Sequence, residues 1–121
     1  EISITEVDID SFIRAKAAIF SAINIMLSSL DMDVSVLSHV YVAGGIGSGI
    51  NMENAVRIGM LPRACLSKIR PLGNTALAGA SMLALDGENW RKLAEIPEKC
   101  RYLELSGRDD FSRAFTDSLT F

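Results

Sequence analysis

Apolar residues recur with a helical period over the first third of the chain, at Ile9, Phe12, Ile13, Ile19, Phe20, Ile23, Met26, Leu27 and Leu30. Asp10, Arg14, Ser21, Asn24 and Ser28 fall mostly on the other side, which is the pattern of an amphipathic helix. The spacing predicts a helix from about Asp8 to Leu30, capped by Asp8 and burying Phe12, Ile19, Ile23 and Leu27. Ala15, Ala17, Ala18 and Ala22 raise its helix propensity and allow a neighbouring element to come close. Ahead of it, Ile2 to Thr5 alternates apolar and polar residues and reads as a short strand. Behind it, Asp31 to Asp33 favours a turn.

The next apolar run, Val36 to Ala43, is rich in β-branched and aromatic residues and runs into Gly44-Gly45, as a buried strand ending in a glycine loop would. A short helix starts at Asn51 or Asn54 and ends at Arg57 or Ile58, closed by Gly59, with Pro62 forbidding continuation. Leu66 to Pro71 is a candidate strand, and Asn74 or Thr75 caps a helix over Ala76 to Leu85 that Asp86-Gly87 stops. Glu88 to Ile96 reads as a further helix halted before Pro97, because the residue preceding proline is disfavoured in the α region. Tyr102 to Leu105 has strand alternation, and Asp109 or Asp110 caps a last helix carrying Phe111, Ala114, Phe115 and Leu119. Strands that alternate with helices predict an α/β fold with a small, mostly parallel sheet covered by helices, whose ligands approach the carboxyl ends of the strands.

At 121 residues the chain has the size of one domain, and we expect a single unit over 1–121. Its 49% hydrophobic and 22% charged composition is that of a globular protein, which excludes disorder. Asp and Glu number 15 against 12 Lys and Arg, with no run of like charge, so a nucleic acid is not an expected partner. The longest uncharged stretch, Val34 to Met52, holds four glycines, three serines, His39 and Asn51, too polar for a membrane span. Glu1 in place of Met, without a basic-then-apolar leader, suggests a piece of a longer protein. Cys65 and Cys100 stand too far apart for a CxxC motif and predict two buried, reduced thiols in a cytoplasmic protein.

Ala43-Gly44-Gly45-Ile46-Gly47-Ser48-Gly49 places four of the nine glycines within six residues of a strand end. It lacks the Gly-Lys-Ser/Thr of a Walker A loop, and Ile50 stands where GxGxxG needs its third glycine. What remains is either an ordinary tight turn or a bare-backbone surface for a flat group such as a purine or ribose. Gly73-Asn74-Thr75-Ala76-Leu77-Ala78-Gly79-Ala80 opens a helix with small residues, for close packing or close approach of a ligand. His39 lies in the predicted strand without a partner for catalysis, and the pairs Asp8/Asp10, Asp31/Asp33 and Asp109/Asp110 read as caps and turns, so no catalytic or metal-binding residue is assigned. Between residues 34 and 87, Arg57, Arg63, Lys68 and Arg70 exceed Glu53 and Asp86 by two positive charges, a mild preference for an anion or merely solvated surface.

Four motifs in order, Asp8-Ile9-Asp10 with Arg14-Ala15-Lys16-Ala17-Ala18-Ile19, Val40-Tyr41-Val42-Ala43-Gly44-Gly45-Ile46-Gly47, Ile58-Gly59-Met60-Leu61-Pro62 and Gly73 to Ala80, together with the tail Phe111, Phe115 and Phe121, resemble the C-terminal part of the ATP-dependent reductive activators of corrinoid proteins. The resemblance covers nearly the whole chain. It implies an actin-like, sugar-kinase-like ATPase built from two ribonuclease H-like halves, of which this chain would be part of the second. It also implies that Ala43, Gly44, Gly45, Ile46, Gly47 and Ser48 form the adenosine-side nucleotide motif, and that Gly73 and Asn74 open a connecting helix beside the nucleotide.

Such activators use ATP with Mg2+ to drive reduction of a Co(II) corrinoid to Co(I), with electrons passing through an iron–sulfur cluster outside this chain. A corrinoid protein or corrinoid methyltransferase component would be the partner. The phosphate loops and magnesium-binding carboxylates of that fold lie mainly upstream, and no Asp-Xaa-Gly loop occurs here, so the chain alone is not expected to catalyse. Ile46 stands where many relatives carry an aromatic residue. The nucleotide half of a sugar kinase or of a 2-hydroxyacyl-CoA dehydratase activator would share the Gly-Gly turn, and an interaction module or homodimer is a reading of a different kind.

Overall fold

The computed structural model describes residues 2–120, apart from the side chains of residues 46–48. Its elements are α1 (Glu6–Ser28), a 3-10 turn (Val34–Val36), β1 (Val40–Ala43), α2 (Gly44–Gly49), α3 (Met52–Arg57), a second 3-10 segment (Arg63–Lys68), β2 (Ile69–Gly73), α4 (Thr75–Leu85), α5 (Glu88–Lys99) and α6 (Asp109–Asp117). The chain divides into two compact units, unit 1 with Glu1–Val40, Asn51–Ile69 and Glu104–Phe121, and unit 2 with Tyr41–Ile50 and Arg70–Leu103.

In unit 1, α1 begins at a capping box one turn earlier than Asp8. The Asp8 amide donates to Thr5 Oγ1 (3.2 Å), while Asp8 Oδ2 accepts from the Thr5 amide (2.9 Å). Asp8 is thus the reciprocal partner at the third helical position and Thr5 is the cap; the Thr5 hydroxyl also donates to Asp8 Oδ2 (2.7 Å), and this bond with the one from the Thr5 amide holds the Asp8 carboxyl below its usual range. The buried line of α1 is Lys16, Ala17, Ser21 and Ile25. Ile19, Ile23 and Leu27 are half-buried and Phe12 is 44% exposed, which corrects the expected face. The small Ala17 and Ser21 let α6 come close: Ser21 Oγ meets Ser118 Oγ at 3.4 Å and the Lys16 ammonium donates to the Thr120 carbonyl.

It is α1, and not Val34 to Met52, that has the length and mean hydropathy (1.2) of a membrane span, as core helices of soluble proteins also can. It packs against α6, with Lys16, Ala17, Ser21 and Ile25 buried.

The rest of the unit 1 core comes from Ala55, Val56, Met60, Leu61, Cys65 and Ile69. Asn51 caps α3 through Oδ1, which accepts from the Asn54 amide at 3.0 Å. Gly59 closes it as expected, at φ +73°, with its amide on Val56 O and the Met60 amide on Ala55 O, the two bonds of a Schellman motif. Lys68 Nζ donates to the carbonyls of Val34 (3.2 Å) and Ser35 (2.7 Å), tying the two 3-10 segments together. At the start of α6, Arg108 grips Asp110 with two nitrogens (2.9 and 2.6 Å), and its guanidinium draws the Asp110 carboxyl down to about 2.

Several expected strands are shorter or absent. Ile2 to Thr5 and Tyr102 to Leu105 form no strand, and Val36 to His39 precedes β1, leaving His39 exposed and outside it. Alternation supplies a strand's faces but not the neighbouring backbone it must bond to. Pro71 lies inside β2, where a two-stranded sheet offers an edge that needs no donor. Pro97 does not end α5 but sits in its last turn, from which the Cys100 amide returns to Pro97 O at 3.2 Å.

The thiols are both free, but only Cys65 is buried; Cys100 is exposed, against expectation. Burial pushes the Cys65 thiol up, which makes it a poor nucleophile. Alkylation of the native chain should therefore label Cys100 quickly and Cys65 slowly, with two additions in denaturant without reductant. Intact-mass time courses check this, and equal native rates would contradict the burial.

Candidate functional site

Unit 2 holds all but the first residue of β1 and of β2, which pair as a small parallel sheet. Each strand leaves the same end of the sheet through a glycine with a left-handed backbone and enters a helix. β1 passes through Gly44 at φ +83° into α2, and β2 passes through Gly73 at φ +66° to Asn74 and α4. Residues with a β-carbon rarely adopt this backbone, so glycine is required at both positions. The expected glycine loop is therefore a strand-to-helix turn in which residues 44–49 are helical. Glycine's low helix propensity points to a loop; after a sharp strand exit, a helical turn bonds backbone groups internally.

Of the predicted nucleotide residues, Ala43, Gly44, Gly45, Gly73 and Asn74 thus fall on two adjacent turns at the carboxyl end of the strands. That is where ligands of parallel sheets bind. A β-carbon added at Gly44, Gly45 or Gly73 would meet nothing within 4 Å, so the space over these turns is open. Ala43 and Gly45 are exposed and Gly44 is half-buried. Ile46, Gly47 and Ser48 continue α2, and their side chains lie outside the described residues, as does Phe121 of the tail motif. Asn74 Oδ1 accepts from the Leu77 amide at 3.0 Å and caps α4, which leaves the carboxamide NH2 as the side-chain group able to donate to a ligand.

No described residue of unit 2 is buried. α4 is uncharged over all 11 residues, yet Leu77, Met82 and Leu85 are exposed. A helix apolar on all sides is ordinarily an internal one. Among the described residues no three His, Cys, Asp or Glu side chains gather as metal ligands would.

Two clefts follow no sequence motif, the first walled by two consecutive helices and the second by segments far apart in the chain. One, of about 210 Å3, lies between α4 and α5 and is lined by apolar Met82, Leu83, Leu93 and Ile96. The other, of about 480 Å3, lies in unit 1 between α1, the 59–64 turn and the end of α6. Neither is lined by the residues of the glycine turns.

Comparisons with known proteins agree with this architecture. "Corrinoid activation enzyme RamQ" of Eubacterium limosum is 29% identical over the whole chain, which covers 20% of that protein. A "[Co(II) methylated amine-specific corrinoid protein] reductase" of Methanosarcina barkeri is 28% identical over 99% of the chain, covering 22% of that protein. The solved structure of a "Reductive activator for corrinoid,iron-sulfur protein" superimposes on 96% of the chain with a TM-score of 0.88 and 38% identity, covering 18% of that chain. The chain thus spans about one fifth of the length of these relatives. The sequence profile of the C-terminal domain of RACo, the ASKHA domain, matches residues 1–121, and the chain belongs to that family.

Proposed function

We propose that this chain is the adenosine-side subdomain of an ATP-dependent reductive activator that returns Co(II) corrinoid proteins to Co(I). The observation that carries the reading is the pair of strand–glycine–helix turns at one end of the sheet, with open space over Gly44, Gly45 and Gly73. The residues fit an adenosine: a flat ring can lie on the peptide planes at Gly44 and Gly45, and Asn74 can donate from its NH2. Ala43, Ile46, Gly47 and Ser48 complete the same turn.

ATP supplies the free energy for an uphill electron transfer. This chain's share is to hold the nucleoside, while Mg2+, the phosphates and an iron–sulfur cluster are assigned to the remainder of a longer protein. The described residues offer no carboxylate or thiolate set for them. The apolar, exposed α4 supports a subdomain that packs against further protein. A corrinoid protein or methyltransferase component is the proposed partner, in the cytoplasm, with α1 read as a core helix; a homodimer through the exposed apolar faces is compatible with the same surfaces.

The test is ATP-dependent reduction by the full-length protein. With an electron donor and a Co(II) corrinoid protein, the Co(I) absorption should rise on addition of ATP and not with a non-hydrolysable analogue. ATP-independent reduction, or ATP use only with a sugar, would replace this reading.

A further inference from the structure

The larger cleft belongs wholly to unit 1 and has no part in the nucleotide reading. Its walls join two kinds of chemistry. Phe20, Val56, Leu61 and Pro62 give it apolar surface, while among the described residues Lys16, Arg57 and Arg63 line it with one carboxylate, Asp117. On a chain whose net charge is −3, Arg57 and Arg63 against one described carboxylate are a local reversal of sign, and concavities concentrate such a field.

The three cations differ in circumstance. Lys16 is 2% exposed, held by its bond to the Thr120 carbonyl, with its stem walling the cleft. Gly59, at φ +73°, lines the cleft beside it, where a β-carbon would stand at ordinary contact distance, 3.6 Å, from Lys16 Nζ. Arg57 and Arg63 are exposed and, among the described residues, form no ion pair. Two unpaired guanidinium groups beside an apolar floor suit a phosphate or carboxylate head in bidentate contact, and the volume of about 480 Å3 falls in the range of small-molecule sites.

We propose that this cleft is a ligand site, separate from the glycine turns, for a small organic anion whose phosphate or carboxylate head pairs with Arg57 and Arg63 while its apolar body lies on Phe20, Leu61 and Pro62. The anionic head recruits the ligand, and the apolar floor selects against inorganic ions. Asp117 limits the affinity by like-charge repulsion.

Phenyl phosphate, phenylacetate and inorganic phosphate, titrated separately into the 121-residue chain and followed by amide NMR shifts, test the proposal. The two aromatic anions should give saturable shifts at Gly59, Arg63 and Ser118, and inorganic phosphate should bind more weakly. The better binder of the two tells whether the head is phosphate or carboxylate. Arg57→Ser with Arg63→Ser should weaken binding at least about tenfold, and Asp117→Asn should strengthen it; Gly45→Val should leave it unchanged, which separates this site from the nucleotide reading. Shifts confined to the glycine turns, absence of saturation at millimolar ligand, or unaltered binding in the double variant would overturn the proposal. Should the double variant lose the native amide pattern, the Asp117→Asn arm decides, with unchanged or weaker binding counting against the site.

Discussion

Replacing Ile25 with Ala should lower the stability of unit 1 by about 2–5 kcal/mol, the range for truncating a buried large aliphatic side chain. Ile25 is 8% exposed and continues the line of Ala17 and Ser21 along α1. Its neighbours on that line are small, so few long side chains can swing into the space it leaves, and the cavity term persists. Ile23 is the contrast. It is only half-buried, and Ile23→Ala should cost clearly less because part of its surface is already in water. Urea unfolding followed by circular dichroism reads both variants, since the single tryptophan, Trp90, lies in unit 2 and would report on the wrong part of the chain. A loss below about 0.5 kcal/mol for Ile25→Ala, the scale of surface substitutions, or a larger loss for Ile23→Ala, would show that the buried face of α1 is wrongly placed.

Elements specified by local chemistry were legible in the sequence. The period of α1 and the Gly59 stop depend on groups within one helical turn and stand where the pattern puts them, and of the caps the pattern left open Asn51 and Asn74 are the ones formed. The face of α1 was not legible, because hydrophobicity ranks Phe12 and Ile23 above Ser21, whereas burial follows the shape of the partner. Ala17 and Ser21 are buried because they let α6 approach. Strand length failed for a related reason: Tyr102 to Leu105 alternates correctly but forms no strand, and no local pattern reveals that.

The candidate site was half legible. Gly44 and Gly73 stood out, but their placement on neighbouring strands requires the pairing of β1 with β2, segments nearly thirty residues apart. Of the cationic cleft only the positive excess that includes Arg57 and Arg63 was legible, since Lys16 and Asp117 come from separate elements that share no motif with them.

Gly45 offers the sharpest test of the nucleotide reading because the fold and the ligand make different demands on it. Gly44, at φ +83°, needs glycine for its backbone, so any side chain there strains the turn whether or not ATP binds. Gly45 is in α2 without a left-handed backbone, and a β-carbon there meets nothing within 4 Å. Valine has a higher helix propensity than glycine, so Gly45→Val should leave the fold intact. If the adenosine rests on the Gly44–Gly45 backbone, however, the valine methyls occupy the space the ring needs. In the full-length protein, Gly45→Val should then weaken ATP binding at least about tenfold, or roughly 1.4 kcal/mol, while Lys92→Ala, on α5, should not change it. The 121-residue chain alone should bind ATP weakly or not at all, because contacts on one side of the nucleotide must still offset the entropy of immobilising it. Calorimetry on both proteins separates the two expectations. Unchanged affinity in a folded Gly45→Val protein would remove this turn from the nucleotide site, and ATP turnover by the 121-residue chain would show that the chain needs no second half to act.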